Sequence, residues 1–279
     1  MKTYVLYHKF CKDGFGAAWA ALTKLGFPSK DLKYIAVSHD EPPPEIEEGS
    51  TVYILDFSYP RDVLLKMKEK TSFMKVLDHH KTAEEDLKGL DFCDFDMNRS
   101  GAMMAWNHFN PDREPPDLIK YIQDRDLWKW ELPNSREHSI GLASYNQSFE
   151  TWSMLAHQTA KLIKEGETLL KFQNKQVGIS TMSAHLATIG GHKVPVVNCN
   201  LFISEVGSKL CSDHPSYPFV GIYHTTSDLQ KKWSLRTAGS FDVSAIAKQY
   251  GGGGHAQAAG FIETEGIGPK IVFEKFKSK

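Results

Sequence analysis

Cysteine is scarce in this chain: Cys11, Cys93, Cys199 and Cys211 stand far apart among 279 residues, with no CxxC pair. That excludes a disulfide-dense scaffold and fits a reducing compartment. No apolar run approaches the ~18 residues of a membrane span, so no membrane association is expected. The opening Met1-Lys2-Thr3-Tyr4-Val5-Leu6-Tyr7-His8 carries too short an apolar run for a signal peptide. An excess of positive charge is also missing, with 33 basic and 34 acidic residues giving a net charge of −1. Long duplex nucleic acid is therefore disfavoured as a partner, since its binders leave a basic footprint. A small phosphorylated ligand is not, because it needs only a local basic pocket. The expected location is cytoplasmic.

What remains is ordinary globular material, 41% hydrophobic and 24% charged. The length exceeds one usual core and predicts two domains. The first reads as strand, glycine-bearing loop and helix: Tyr4 to Tyr7 ending on His8, then Asp13-Gly14-Phe15-Gly16, then the Ala17–Leu22 run. Strands follow at Tyr34–Val37, at Thr51–Leu55 ending on Asp56, and at Phe73–Leu77 ending on Asp78-His79-His80. A charged amphipathic helix fills 61–70. Three strand ends thus each deliver carboxylates or imidazoles, at the end where open α/β sheets place their ligands. Oxygen and nitrogen donors of this kind suit Mn²⁺, Zn²⁺ or Mg²⁺.

Ser100 can cap a helix that starts at Gly101. A further helix over 116–123 runs into Asp124-Arg125-Asp126-Leu127-Trp128, either a solvated ion cluster or a buried acidic site. Trp128, Trp130 and Phe149 could stack on bases, but core packing is the commoner use and they are left unassigned. Apolar residues recur at helical spacing from Trp152 to Val177 and predict a linker helix, with Gly166 as the place for a bend. A smaller α/β unit follows, with strands at 194–197 and 219–223 and helices at 204–210 and 243–249. It ends in Gly251-Gly252-Gly253-Gly254-His255-Ala256-Gln257-Ala258-Ala259-Gly260. Four glycines permit unusual backbone angles, and their N–H groups can form an anion-binding concavity. Arg236 would add a bidentate donor and Ser234 a hydroxyl.

With these residues in this order the chain resembles the DHH phosphoesterase superfamily in its two-domain DHH/DHHA1 form, over nearly its whole length. The similarity rests on His8 with Asp13-Gly14, on Asp56, on Leu77-Asp78-His79-His80, on Ser100-Gly101-Ala102, on Asp124, and on Ser234-Leu235-Arg236 with Gly252 to Gly260. It implies an α/β protein: a DHH catalytic domain over 1–150 with a mainly parallel sheet, a linker helix over 151–188, and a DHHA1 substrate-binding domain over 189–279. The active site is expected in the inter-domain cleft.

By the same resemblance, one or two divalent ions, usually manganese, are held by His8, Asp13, Asp56, His79 and Asp124, with Asp56 bridging. His80 contacts a substrate phosphate and Asp78 supports it. Ser234, Arg236, Gly252, Gly253, Gly254 and His255 grip the far end of the nucleotide. The chain departs from the family at Cys11, where many members carry a ligating aspartate. A thiolate is softer and prefers zinc or iron, while a free cysteine often simply packs.

The implied activity is hydrolysis of short oligoribonucleotides or of linear or cyclic dinucleotides by metal-activated water. Phosphatase action on a nucleotide such as adenosine bisphosphate, and a nucleotide-binding protein that has lost catalysis, are the alternatives. A homodimer is compatible with the sequence, which does not fix the oligomeric state.

Overall fold

In the computed structural model, residues 2–39, 41–227, 229–263 and 268–272 are described. The chain divides into two compact units, Met1–Leu170 and Lys171–Lys279.

The first unit alternates strand and helix: β1 (Thr3–His8), α1 (Lys12–Leu25), β2 (Leu32–Val37), β3 (Ser50–Leu55), α2 (Arg61–Glu69), β4 (Thr71–Asp78), α3 (Lys81–Leu87) and β5 (Cys93–Phe95). Helices α4 (Gly101–Phe109), α5 (Asp117–Asp126), α6 (Ser135–Ala143) and α7 (Phe149–Leu155) follow, and α8 runs over Thr159–Thr181. The strands form one sheet in the order β2-β1-β3-β4-β5, and every pairing is parallel. Such a sheet must be covered on both faces. Alternate strand residues supply each cover: Val5, Leu55 and Leu77 join Trp19, Trp106 and Trp152 in one core. Leu6, Ile54 and Val76 join Leu64 and Leu87 in the other. Phe149 belongs to the first core, stacked on Phe15 at 5.1 Å.

From β1 the chain moves outward to β2, then returns across β1 to β3. The topological switch point therefore lies between β1 and β3, and it opens a crevice at their carboxyl ends.

Gly166 does not bend α8, which is unbroken over 159–181. A Cβ there would fall 1.9 Å from the Glu137 carbonyl oxygen, and one at Gly141 would fall 2.1 Å from that of Leu162. The two glycines let α6 and α8 cross in backbone contact.

The second unit contains β6 (His185–Ile189), β7 (His192–Asn198), α9 (Ile203–Asp213), β8 (Val220–Thr225), β9 (Lys231–Arg236), α10 (Val243–Gln249), β10 (Gly253–Gly254), β11 (Ala258–Glu263) and β12 (Lys270–Val272). Its sheet runs β10-β11-β9-β8-β7-β6-β12. Only the β7–β8 pairing among its described strands is parallel. Trp233, Leu235 and Ile246 centre one core, and Val206, Leu210 and Ile222 the other. Among the described residues no helix is long and apolar enough to cross a membrane.

Candidate metal centre

Three neighbouring strands, β1, β3 and β4, end in His8, Asp56 and Asp78-His79-His80, and their ends meet at the switch point. Asp56, 1% exposed, leaves β3 with φ 55°, in the left-handed region. A short polar side chain tolerates that region better than a branched one, and such strain gathers at functional sites. Its Oδ1 lies 3.1 Å from His79 Nε2 and its Oδ2 3.5 Å from His8 Nδ1. Neither oxygen has an aligned hydrogen bond.

Asp13 reaches the same point from the first turn of α1. Its Oδ2 accepts from the Gly101 N–H at 2.6 Å and its Oδ1 from the Ala102 N–H at 2.9 Å, so the amino end of α4 grips it. Ser100 caps that helix through the Met103 N–H. Gly101 is obligatory, because a Cβ there would lie 2.4 Å from Asp56 Cβ. Gly14 is equally confined, since its Cβ would lie 2.5 Å from the His8 carbonyl oxygen.

The last turn of α5 adds Asp126, whose Oδ2 stands 3.5 Å from His79 Nε2, as does Asp13 Oδ2. Asp124, the carboxylate that the resemblance selects, is placed elsewhere. It accepts from the Ser135 hydroxyl and from the Glu131 and Leu132 N–H groups at 2.9 and 3.4 Å, tying α5 to the start of α6. Residues two apart on a helix do not share a face. Asp-Arg-Asp therefore sends one carboxylate to the centre and one away from it.

Electrostatics mark the centre as short of positive charge. Burial pushes the Asp13 carboxyl well up, and the charges of Asp56 and Asp126 push it further. Burial raises Asp126 too, aided by Asp56. Burial acts against the His79 imidazolium, but Asp56, Asp126 and Asp13 override it and lift His79 to about 10. Asp56 also resists burial, because His79 and His8 hold it well below the usual carboxylate range. His79, with His8 beside Asp56, thus serves the buried Asp13 and Asp56 and the part-exposed Asp126, an arrangement that a divalent cation would relieve.

The donors fall into close sets: Asp13, His79 and Asp126; His8, Cys11 and Asp56; and Asp56, Asp78 and His80. Oxygen and imidazole donors fit a divalent metal. Cys11 is the outlier: burial first, then Asp56, Asp126 and Asp13, push its thiol well up, so it is protonated until a cation reverses those fields.

Asp78 sits one layer behind. Its Oδ1 faces His80 Nδ1 at 2.7 Å and accepts the His79 N–H at 2.7 Å, while its Oδ2 accepts from the Ser58 hydroxyl at 2.6 Å. Ser58 was not foreseen from the sequence.

No family model matches the chain. An uncharacterized protein of Acanthamoeba polyphaga mimivirus is 31% identical over 294 residues, covering 97% of this chain and 69% of that protein. Oligoribonuclease NrnB of Bacillus subtilis is 26% identical over 232 residues, covering 73% of this chain and 56% of that protein. The chain belongs to the DHH/DHHA1 phosphoesterase superfamily. Solved structures agree in fold: the DHH domain of a member of the s1p family of ribosomal proteins has a TM-score of 0.56 at 15% identity, covering 94% of this chain and 82% of that one. Exonuclease RecJ bound to manganese has a TM-score of 0.50 at 15% identity, covering 95% and 86%. Members of the superfamily are metal-dependent hydrolases.

In the second unit the DHHA1 residues lie along β9, β10 and β11. Arg236 donates from Nη2 to the Ser204 hydroxyl at 3.1 Å and from Nη1 to the Leu235 carbonyl at 2.9 Å. Ser234 stands in β9 opposite Gly260 and Ile222. The glycine run ends α10 and begins a hairpin. The Gly251, Gly252 and His255 N–H groups donate to Lys248, Ala247 and Ala258 carbonyls at 3.1, 3.0 and 2.9 Å, while Gly253 and Gly254 pair with Gly260 and Ala259. These glycines serve close approach: a Cβ at Gly252 would meet the Gly260 carbonyl oxygen at 2.1 Å.

Proposed function

We propose that the chain is a divalent-metal-dependent phosphodiesterase that hydrolyses short oligoribonucleotides or linear or cyclic dinucleotides to mononucleotides, with Mn²⁺ as its cation. The observation that carries this reading is Asp56. It is a buried carboxylate in a left-handed conformation, with both oxygens lacking aligned hydrogen bonds, set between two groups of donors. Asp13, His79 and Asp126 would hold one ion, His8 and Asp56 the other, with Asp56 shared and Cys11 beside it. A cation bound there supplies Lewis-acid polarisation of a phosphate ester and acidifies water.

The chain's own groups do the rest. The α4 N–H pair fixes Asp13, so its position is set before anything binds. Asp78, anchored by Ser58, fixes the His80 ring through Nδ1 and turns its other nitrogen to a substrate phosphate. Arg236, held flat by Ser204, would take the nucleotide's second phosphate or sugar. The likeness to an oligoribonuclease supports short RNA as the substrate class, and the net charge of −1 disfavours long polyanions.

The test is hydrolysis of a linear diribonucleotide, a cyclic dinucleotide, a five-residue RNA and adenosine bisphosphate with Mn²⁺, by wild type and Asp56→Ala. Turnover of a short phosphodiester that Asp56→Ala abolishes is expected. Tight binding without turnover under every divalent cation would show a nucleotide-binding protein instead.

A further inference from the structure

Manganese suits oxygen donors, yet the donor set around His8 includes a sulfur. Cys11 is half-buried and free, and one ligand atom from each of His8, Cys11 and Asp56 lies within 4.8 Å of the others. The loop between β1 and α1 is shaped to bring that sulfur in. β1 ends at His8, where the Lys9 N–H donates to the Val37 carbonyl at 2.8 Å, and the chain then turns through Phe10 in the left-handed region at φ 58°. Phe10 is 90% exposed, so burial of its ring does not account for the strained turn. Beyond it the Cys11 carbonyl accepts the Phe15 N–H at 3.1 Å and the Gln147 side-chain amide at 3.2 Å, which fixes the cysteine backbone.

The thiol has no capping task in that position. Cys11 is the N-cap of α1, where Ser, Thr, Asp or Asn would accept a helix N–H. Its side chain makes no capping hydrogen bond.

Asp56 is the second, independent observation. It is 1% exposed, neither of its oxygens has an aligned hydrogen bond, and the same holds for the buried His8 Nδ1 that lies 3.5 Å from its Oδ2. That separation is about the edge of a tetrahedron built on bonds of about 2.1 Å, the length of zinc–nitrogen and zinc–oxygen bonds. The other oxygen, Oδ1, faces away from His8 chemistry and towards His79 at 3.1 Å, in contact with the set of Asp13, His79 and Asp126. One carboxylate therefore joins two unlike sets. Carboxylates with one imidazole suit manganese or magnesium, whereas thiolate with imidazole suits zinc or iron.

We infer that Cys11 is a thiolate ligand of the ion held by His8 and Asp56, and that this site takes a soft cation, zinc or iron(II), while the Asp13, His79 and Asp126 site keeps manganese. The inference rests on the reading of the centre as that of a metal-dependent phosphodiesterase, and it extends one kind of cation to a mixed pair. Ligation exchanges the S–H bond for a sulfur–metal bond, with the proton leaving to solvent.

The test uses the full chain, stripped of metal by a chelator, as wild type, Cys11→Ser and Cys11→Asp. Each is titrated with Co²⁺ and then with Zn²⁺ as competitor. The wild type is expected to show a near-ultraviolet sulfur-to-cobalt charge-transfer band that Zn²⁺ removes, and both variants to lack it. Cys93, Cys199 and Cys211 belong to none of the donor sets among the described residues, and their presence in both variants serves as the control. By calorimetry, Cys11→Ser is expected to weaken Zn²⁺ binding at least about tenfold. Cys11→Asp, which supplies an oxygen donor in place of sulfur, is expected to bind two Mn²⁺ and to lower the preference for Zn²⁺ over Mn²⁺ at least about tenfold.

Hydrolysis of a linear diribonucleotide is read separately on the same samples. If the band appears and depends on Cys11 while no divalent cation supports hydrolysis, the thiolate site stands and the phosphodiesterase reading falls. If the wild type hydrolyses the substrate with Mn²⁺ but shows no band, and binds Zn²⁺ no better than Cys11→Ser, the inference is overturned and Cys11 is a loop residue beside an all-manganese centre. A band that survives in Cys11→Ser overturns it as well, because the sulfur then belongs to another cysteine.

Discussion

At the carboxyl end of the parallel sheet, buried polar atoms outnumber their partners; along the glycine run of the second unit, backbone groups are largely matched. Both regions depend on glycines where a Cβ would collide with backbone or with a fixed side chain. The difference is what the close approach achieves. Gly101 brings helix N–H groups onto Asp13 and presses α4 against Asp56, concentrating negative charge that the protein does not neutralise. Gly252 brings one hairpin strand onto another, and its own N–H is already spent. Unmatched buried groups mark where a charged ligand belongs, and matched ones mark architecture.

The sharpest way to break this comparison lies within α5. Asp126→Asn is expected to lower kcat/KM by more than about 100-fold, beyond the 10–100-fold typical of losing a partner that merely orients a ligand. Asp124→Asn should leave the rate within about tenfold and instead destabilise the fold by about 1–2 kcal/mol, because its carboxylate caps the α5–α6 connection. Kinetics and thermal melts on both variants check this. A rate loss in Asp124→Asn matching that of Asp126→Asn would mean that both carboxylates serve the metal.

Next in size are the two glycines. Gly101→Ala puts a methyl group into Asp56 and is expected to cost about 1–3 kcal/mol together with measurable Mn²⁺ binding by calorimetry. Gly252→Ala should cost a similar amount in the second unit while Mn²⁺ affinity stays within about twofold. Equal losses of metal affinity in the two variants would erase the contrast between the regions.

Much of this was legible in the residues alone. The alternation of strand and helix, and the placement of His8, Asp56 and Asp78-His79-His80 at strand ends, follow from short apolar runs that stop at polar residues. The choice between Asp124 and Asp126 was not legible, because it depends on the rotation of α5 about its axis, which packing sets. Helix α6 gave no apolar stripe in Ser135-Arg136-Glu137-His138-Ser139, so its backbone contact with α8 went unseen. Gly166 read as the place for a bend because sequence shows that a side chain is missing, but not the helix that passes there. The glycine run had the composition of an anion nest, yet register pairing with β11 uses N–H groups that composition leaves open.

A pH-dependent contribution of about 3 kcal/mol is expected from His138. Its pKa is about 4 in the fold and about 6.5 unfolded. Between these values the unfolded chain binds a proton that the native ring does not, so stability falls as pH drops from about 6.5 to about 4 and is fully present above. His138→Phe removes this term. The stability difference between wild type and variant, from urea melts at pH 7 and pH 4, should therefore move by about 3 kcal/mol in the variant's favour at the lower pH. A flat difference would mean that the ring is solvated or protonated in the fold.

The smallest effect belongs to the matched region. Arg236→Lys keeps the charge but loses the planar fork that Ser204 holds flat, so one donor survives where two were oriented. If Arg236 grips the far end of a nucleotide that is bound but not broken there, the loss falls on binding shared by ground and transition states. KM should then rise about tenfold with kcat nearly unchanged. The same change should leave hydrolysis of a base-free ester, which lacks a far end, less affected than that of a dinucleotide. A fall in kcat of that size with KM constant would instead tie Arg236 to the reacting phosphate, and the contrast between a charge-starved centre and a pre-satisfied grip would have to be redrawn.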